Sequence, residues 1–266
     1  MDNHITDLTN SISQAVSRSI EGANIIGIPF SGGLDSSLIA HLVKIDKEDL
    51  KITLYTVGTP DSHDLLNAEE ASRALDLKWK KIEIKSEDIT KAIPKLAKII
   101  GTNHPVIISF ELPLYFALAN MKEELILSGQ GADELFGGYA RYLKMENEDL
   151  KEVMENDVKE LMENGIKMEL KLARHFEKIL KIPYLDEEVV RVAKMIPIEK
   201  KVGKGQRKII LREAALHLGL PEKIANTEKK AVQYSSGIIK ELRRISKKEG
   251  MGVNELIESL LKNKNK

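Results

Sequence analysis

The 266-residue chain contains no cysteine. Disulfides, thiolate metal sites and thiol nucleophiles are therefore excluded within it. It carries no net charge, with 41 Lys+Arg against 41 Asp+Glu. No bulk attraction toward nucleic acid or membrane follows, although a local basic patch is compatible with that balance. No apolar run approaches the roughly 20 residues needed to span a bilayer. The first residues, Met1-Asp2-Asn3-His4, are polar and lack the apolar core of a signal peptide. The histidines at 4, 41, 63, 104, 175 and 217 are scattered, without the H-E-x-x-H spacing of a zinc site. These absences predict a soluble, cytoplasmic protein.

What is present is enough to build a core: 42 % of residues are hydrophobic, so wholesale disorder is not expected. The length suits one large domain, or a nucleotide-binding core with a smaller lobe. Apolar periodicity predicts a helix over residues 4–21. A short apolar run over 23–30 reads as a buried strand, and residues 51–57 as a second strand closed by Gly58 and Pro60. Residues 65–75 read as a helix, 79–84 as a third strand, and a helix capped by Ser86 runs toward Ile100. A further helix over 110–121 precedes a fourth strand at 125–127. Strands alternating with helices predict an α/β fold with a doubly wound parallel sheet. After Tyr139 the pattern changes: residues 143–181, 186–196, 205–218 and 235–262 read as helices without convincing strands. The expected organisation is a nucleotide-binding core over residues 1–140 and a helical C-terminal lobe over 141–266. Trp79, Phe110 and Phe116 are expected in the core rather than as stacking platforms.

The first strand runs into Ser31-Gly32-Gly33-Leu34-Asp35-Ser36-Ser37. Gly32 and Gly33 let backbone N–H groups approach an anion with no Cβ in the way. The following helix N-terminus adds partial positive charge, and Ser31, Ser36 and Ser37 add hydroxyl donors. Asp35 would repel a phosphate unless a cation lies between them, so it implies Mg²⁺. The loop lacks the Lys of a G-x-x-x-x-G-K-[ST] phosphate loop, which argues against a γ-phosphate kinase or GTPase. The bland alternative is a tight turn capped by Ser. Ser-Gly-Gly-x-Asp-Ser resembles the pyrophosphate loop of the N-type ATP pyrophosphatases, the adenine nucleotide α-hydrolase-like proteins that cleave ATP to AMP and pyrophosphate. That resemblance implies ATP and Mg²⁺, with Ser31, Gly32, Gly33, Asp35 and Ser36 at the nucleotide.

A second glycine-rich loop, from Ser128-Gly129-Gln130-Gly131-Ala132-Asp133-Glu134 to Phe136-Gly137-Gly138-Tyr139, follows the fourth strand. Two such loops at the carboxyl edge of a doubly wound sheet would flank one ligand, and Asp133 could share the Mg²⁺ with Asp35. Alternatively it is a turn before a short helix whose dipole Asp133 and Glu134 satisfy. The segment resembles the Ser-Gly-Glu-Gly-x-Asp-Glu-x-Phe-Gly-Gly-Tyr of the asparagine synthetase family. Further stretches match in order: Ser62-His63-Asp64-Leu65 after Val57-Gly58, Ile182-Pro183-Tyr184-Leu185-Asp186, Lys208-Ile209-Ile210-Leu211-Arg212, and Lys230-Ala231-Val232-Gln233-Tyr234-Ser235-Ser236-Gly237. The resemblance spans roughly residues 23–240.

It implies that a substrate carboxylate attacks the α-phosphorus of ATP, and that ammonia then converts the acyl-adenylate to an amide. It places Val57, Ser128 and Gly129 at the nucleotide, Asp35 and Asp133 at the metal, and Lys230 and Lys208 at the shifting phosphate charge. One extra residue before Gln233 keeps Lys229 as an alternative, and a solvated cation is the bland reading of either. Arg212 reads as structural. Lys200 to Lys208 is a lid or a solvated loop. Two departures stand out: the family Glu between the glycines is Gln130, which cannot accept a proton from the attacking amine, and a family Glu before Pro183 is Ile179. With no Cys, the chain cannot itself release ammonia from glutamine by the family's cysteine route. Free ammonia, another amine or a separate glutaminase subunit is implied. The leading reading is a ligase amidating aspartate or a related acid. A tRNA-modifying ATPase of the same superfamily and a non-catalytic ATP-binding regulatory subunit are the alternatives. The first is disfavoured by the missing Cys and the lack of basic excess; the second is kept open by Gln130 and Ile179.

Overall fold

A computed structural model describes residues 3–60, 62–227 and 236–262. Helix α1 (Asn3–Ser19) leads into strand β1 (Ile25–Pro29), helix α2 (Leu34–Asp46) and β2 (Lys51–Gly58). Then come α3 (His63–Ala74), β3 (Lys78–Glu83), α4 (Ser86–Ile100), α5 (Pro105–Asn120) and β4 (Leu125–Leu127). The helix expected to be capped by Ser86 is instead capped from Lys85, whose N–H donates to Asp88 Oδ2 at 2.9 Å. The Ser86 hydroxyl is spent on Glu241.

The five strands form one parallel sheet in the order β3-β2-β1-β4-β5. Strand β5 (Ile179–Lys181) falls inside a run expected to be helical. Three residues are too short for a period to show. Its pairing with β4 (Leu125 opposite Ile179) makes it a strand. The sheet therefore draws on both halves of the chain, and a division at residue 140 does not separate sheet from helices.

Helices cover both faces. Along β2, Ile52 and Leu54 pack on one face while Tyr55 and Val57 pack on the other, as alternation of side chains requires. The first face is covered by α1, α2, α9 (Glu187–Met195) and α11 (Ile209–His217). The second is covered by α4, α5, α8 (Ile166–His175), α13 (Ile238–Lys248) and α14 (Val253–Lys262). A core buried on both sides explains the near-continuous apolar runs of β1 and β2. Edge strand β3 carries Lys78, Lys80 and Lys81, charges that discourage pairing with another chain.

Short helix α6 (Ala132–Phe136), α7 (Asn147–Glu160), a π turn at Leu161–Gly165, α10 (Ile198–Lys201) and α12 (Glu222–Ala225) complete the described elements that matter here. Residues 202–207, expected as a lid or solvated loop, form a hairpin. Val202–Gly203 pairs antiparallel with Gln206–Arg207. Its two-residue turn, Lys204-Gly205, has φ of 50° and 75°, the doubly left-handed turn that suits strand twist. No described helix is long and apolar enough to cross a membrane.

Candidate functional site

The strand order places β1 beside β4, with Gly27 opposite Ile126. The chain goes outward to β2 and β3 on one side of this junction and to β5 on the other. Crevices for ligands open at such reversals, beyond the carboxyl ends of the strands. Both glycine loops leave the sheet there, and they touch: a Cβ on Gly129 would come within 3.0 Å of the Ser36 amide nitrogen. The first loop is held to α3 by Asn67, whose Nδ2 donates to Ser31 O at 3.0 Å. Gly32 adopts φ +70°, and a Cβ there would press to 2.7 Å on the Asn67 backbone, so this glycine serves both the turn and the contact.

A cavity of about 250 Å³ opens at this junction. Ser31, Asp35, Ser36, Val57, Ser128, Gly129 and Asp133 line it, together with Gln130. Gly32 and Gly33 lie in the loop behind and are not among the lining residues. Ser37, read as a donor to the ligand, is fully buried and also outside the lining. Lys229 and Lys230 lie outside the described residues.

Directly behind the lining, and not part of it, sits a lysine that the sequence placed at the phosphates. Lys208 is 1 % exposed, and its Nζ lies 2.5 Å from Asp35 Oδ1 and 2.7 Å from Asp133 Oδ1. One carboxylate from each glycine loop therefore meets one cation. Lys208 has φ 57° at the start of α11, a strained conformation that tertiary contacts must impose. The hairpin before it supplies the constraint, because Arg207 Nη1 donates to Gly138 O at 2.8 Å. Gly138 is required here: a Cβ would fall on Asp133 Oδ1 and beside Lys208 Cε. Below the first loop, the fully buried Tyr184 donates to Asp35 O at 3.2 Å. Asp186, two residues on, caps α9 through Glu188 N and pairs with Arg18 at 2.8 Å. Arg212 is structural, its Nε donating to Arg207 O at 3.0 Å and its Nη2 to Thr227 O at 3.2 Å.

Two aspartates that already converge on a cation suit Mg²⁺, which is held by one or two carboxylates and completed by phosphate oxygens and water. No cluster of three or more His, Asp or Glu able to cage a metal occurs among the described residues.

Other lining residues have weak sequence signals. Thr56 donates to Phe30 O at 2.6 Å and accepts from Trp79 Nε1 at 2.8 Å, so the indole braces the end of β2. Phe110, expected in the core, is instead 51 % exposed at the cavity, while Phe116 is buried as expected. Asp64, Glu111, Tyr139 and Glu169 complete the polar lining. Tyr139 donates to Glu134 Oε1 at 2.6 Å, and burial followed by the Glu134 charge raises its pKa. Burial pushes the Glu111 carboxyl up to about 7. Burial, then the charges of Glu111 and Glu134, raise Glu169 well above the usual carboxylate range. Periodicity could assign Glu111 and Glu169 to helices but not to a common cavity. Ile179, by contrast, is not among the described lining residues.

The family model described as asparagine synthase matches residues 7–180 and 144–250. The chain belongs to the asparagine synthase family. It is 34 % identical over 95 % of its length to a Methanocaldococcus jannaschii protein titled "Putative asparagine synthetase 1 (glutamine-hydrolyzing)", covering 54 % of that protein. It is 28 % identical to asparagine synthetase B (glutamine-hydrolyzing) of Escherichia coli strain K12, over 88 % of this chain and 46 % of the relative. The chain thus spans about half the length of these curated relatives. Among solved structures, NMN synthetase from Francisella tularensis aligns with 98 % of the chain and 92 % of its own at 14 % identity and a TM-score of 0.45, too distant to inform on activity.

Proposed function

We propose that the chain is an ATP-dependent, AMP-forming ligase that adenylates a carboxylic acid and passes the acyl group to ammonia or another amine. The observation that carries this reading is that Asp35 and Asp133, one from each glycine loop, both line one cavity and converge on Lys208, which is buried behind them. A lysine fixed behind two carboxylates is preorganised positive charge beside the place where phosphate charge would build up, and such charge is a main source of rate enhancement.

In the first step a carboxylate oxygen of the substrate bonds to the α-phosphorus, the bond from that phosphorus to the bridging oxygen breaks, and pyrophosphate leaves. Ser31, Ser36, Ser128 and the Gly129 backbone line the cavity and are assigned to the nucleotide. Lys208 is assigned to the departing pyrophosphate, a role in which Lys230 is a second candidate. Asp35 and Asp133 would hold Mg²⁺, whose chemistry is to neutralise phosphate charge. In the second step the amine nitrogen bonds to the acyl carbon, AMP departs with the oxygen, and the nitrogen sheds a proton. Aspartate is the proposed acid. The amine comes from solution or from a separate glutaminase.

The test is product analysis with ATP, Mg²⁺, aspartate and ammonium. AMP, pyrophosphate and asparagine in equal amounts are expected. Pyrophosphate with a different acid alone would move the substrate and keep the chemistry, whereas ADP and phosphate, or tight ATP binding without turnover on any acid, would overturn the ligase reading.

A further inference from the structure

The cavity has a second wall that the phosphate chemistry does not use. It is built by α5 and α8, which carry Glu111 and Glu169 into the lining beside Gln130. Glu169 is 5 % exposed, and its Oε2 has no hydrogen-bond partner among the described residues. Among the described residues, the charges that act on it are those of Glu111 and Glu134, both of its own sign. A buried carboxyl facing two others weakens a fold unless something cationic or hydrogen-bond-donating joins it. No such weakness is needed for packing, because an apolar side chain would fill the same place at less cost. The remaining reason to keep it is a ligand.

We propose that Glu169 and Glu111 together form the binding site for the amine co-substrate, with Glu169 accepting the proton that the nitrogen sheds as it attacks the acyl carbon. This rests on the ligase reading above and deepens it. The site has the chemistry an ammonium ion or small primary amine requires: carboxylate acceptors, partial exclusion of water, and no competing hydrogen-bond partner on Glu169 Oε2 among the described residues. Both carboxyls are held above their ordinary range by burial and, at Glu169, by like charge. A bound cation would relieve both effects. The proton balance closes: bound ammonium passes one proton to a Glu carboxylate, the free nitrogen lone pair forms the C–N bond, the acyl C–O bond to AMP breaks, and Glu169 takes the last proton from the amide nitrogen. Gln130 lines the same cavity and cannot accept a proton, so the duty falls to Glu169, a residue from another element.

The experiment uses the full chain and two separate readouts. Carboxylate-dependent ATP–pyrophosphate exchange reports the first step and needs no amine. Ammonium-dependent AMP release reports the second. E169Q is expected to retain exchange within about threefold and to lose at least tenfold in kcat/KM for ammonium, and E111Q is expected to raise the ammonium KM. Loss of exchange in step with loss of AMP release, or an unchanged ammonium dependence in E169Q, would overturn the proposal. If wild-type protein shows no exchange with any acid, the ligase reading fails by itself. The cation site is then judged by soaking crystals in thallous acetate, thallous ion being close to ammonium in size. An anomalous peak between Glu111 and Glu169, absent in E169Q, would support the site, and no peak would reject it.

Discussion

The two walls of the cavity treat charge in opposite ways. On the loop wall, Asp35 and Asp133 share one cation, Lys208, at 2.5 and 2.7 Å. On the helix wall, Glu111 and Glu169 line the cavity together, the charge of Glu111 acts on Glu169, and neither has a cationic partner among the described residues. The loop wall is assembled by glycines: Gly129 brings the loops together, and Gly138 leaves room for Asp133 and Lys208. The helix wall is assembled by packing α5 on α8 over the second face of the sheet. A wall that already holds a cation between its carboxylates can exchange it for one that arrives with a ligand. A wall with surplus negative charge needs a positive guest. The contrast supports assigning phosphates to the first and an amine to the second.

The largest effects should come from breaking the ion-paired wall. Asp35→Ala is expected to reduce ATP cleavage to AMP by about 10³-fold, measured as pyrophosphate release. It should also destabilise the fold by about 3 kcal/mol, because Lys208 is left buried with one partner gone. Retained cleavage would remove Asp35 from the site. Lys208→Met should leave two aspartates facing each other. Its melting temperature should fall, and Mg²⁺ should restore part of that loss while doing less for the wild type. Equal responses to Mg²⁺ would argue against a shared cation position.

Gly138→Ala tests the packing beneath the pair. The added Cβ meets Asp133 Oδ1, so a loss of about 1–3 kcal/mol is expected in denaturant unfolding. A neutral result would mean that Asp133 and Lys208 can move apart freely.

The helix wall should give a smaller, pH-dependent signal. The folded Glu111 pKa is raised to about 7 from an ordinary carboxylate value, so the folded state binds more protons than the unfolded one between roughly pH 4.5 and 7. Stability should therefore fall as pH rises through that window and level off above it. Glu111→Gln should flatten this slope by on the order of 1 kcal/mol once solvent screening at the half-buried site is allowed for. Melting curves of the two proteins at matched pH would reveal it, and parallel curves would dismiss it. The smallest effect is expected at Phe110→Ala. At 51 % exposure its loss should change stability by less than about 0.5 kcal/mol. Phe116→Ala should cost about 3–5 kcal/mol. Similar costs would return Phe110 to the core.

Legibility differed between the walls for a physical reason. The turn at Ser31–Ser37 and the loop at Ser128–Tyr139 need particular residues at particular spacings, because backbone must approach backbone and φ must turn positive at Gly32, Gly131 and Gly137. Those demands leave a pattern in the chain itself. The parallel sheet was legible from apolar runs alternating with helical periods. Strand β5 was not, since three residues have no measurable period and only the pairing with β4 defines them. Lys208 was named at the phosphates by resemblance, but its stretch read as a lid or a solvated loop, not as a buried hairpin end. Its burial depends on a hairpin whose turn, Lys204-Gly205, and anchor, Arg207 on Gly138, act across 69 residues of sequence.

The amino-acid sequence by itself determined the family, the doubly wound α/β class and the loop that bears Asp35, because these follow from local demands on turns and strands. It also determined that no thiol chemistry occurs in this chain. Tertiary structure alone decided that Lys208 sits between Asp35 and Asp133, that Phe110 faces the cavity, and that Glu111 and Glu169 share a wall with Gln130. Those are contacts between residues far apart in the chain, and their charge and burial exist only once the sheet has been wound and the helices laid upon it.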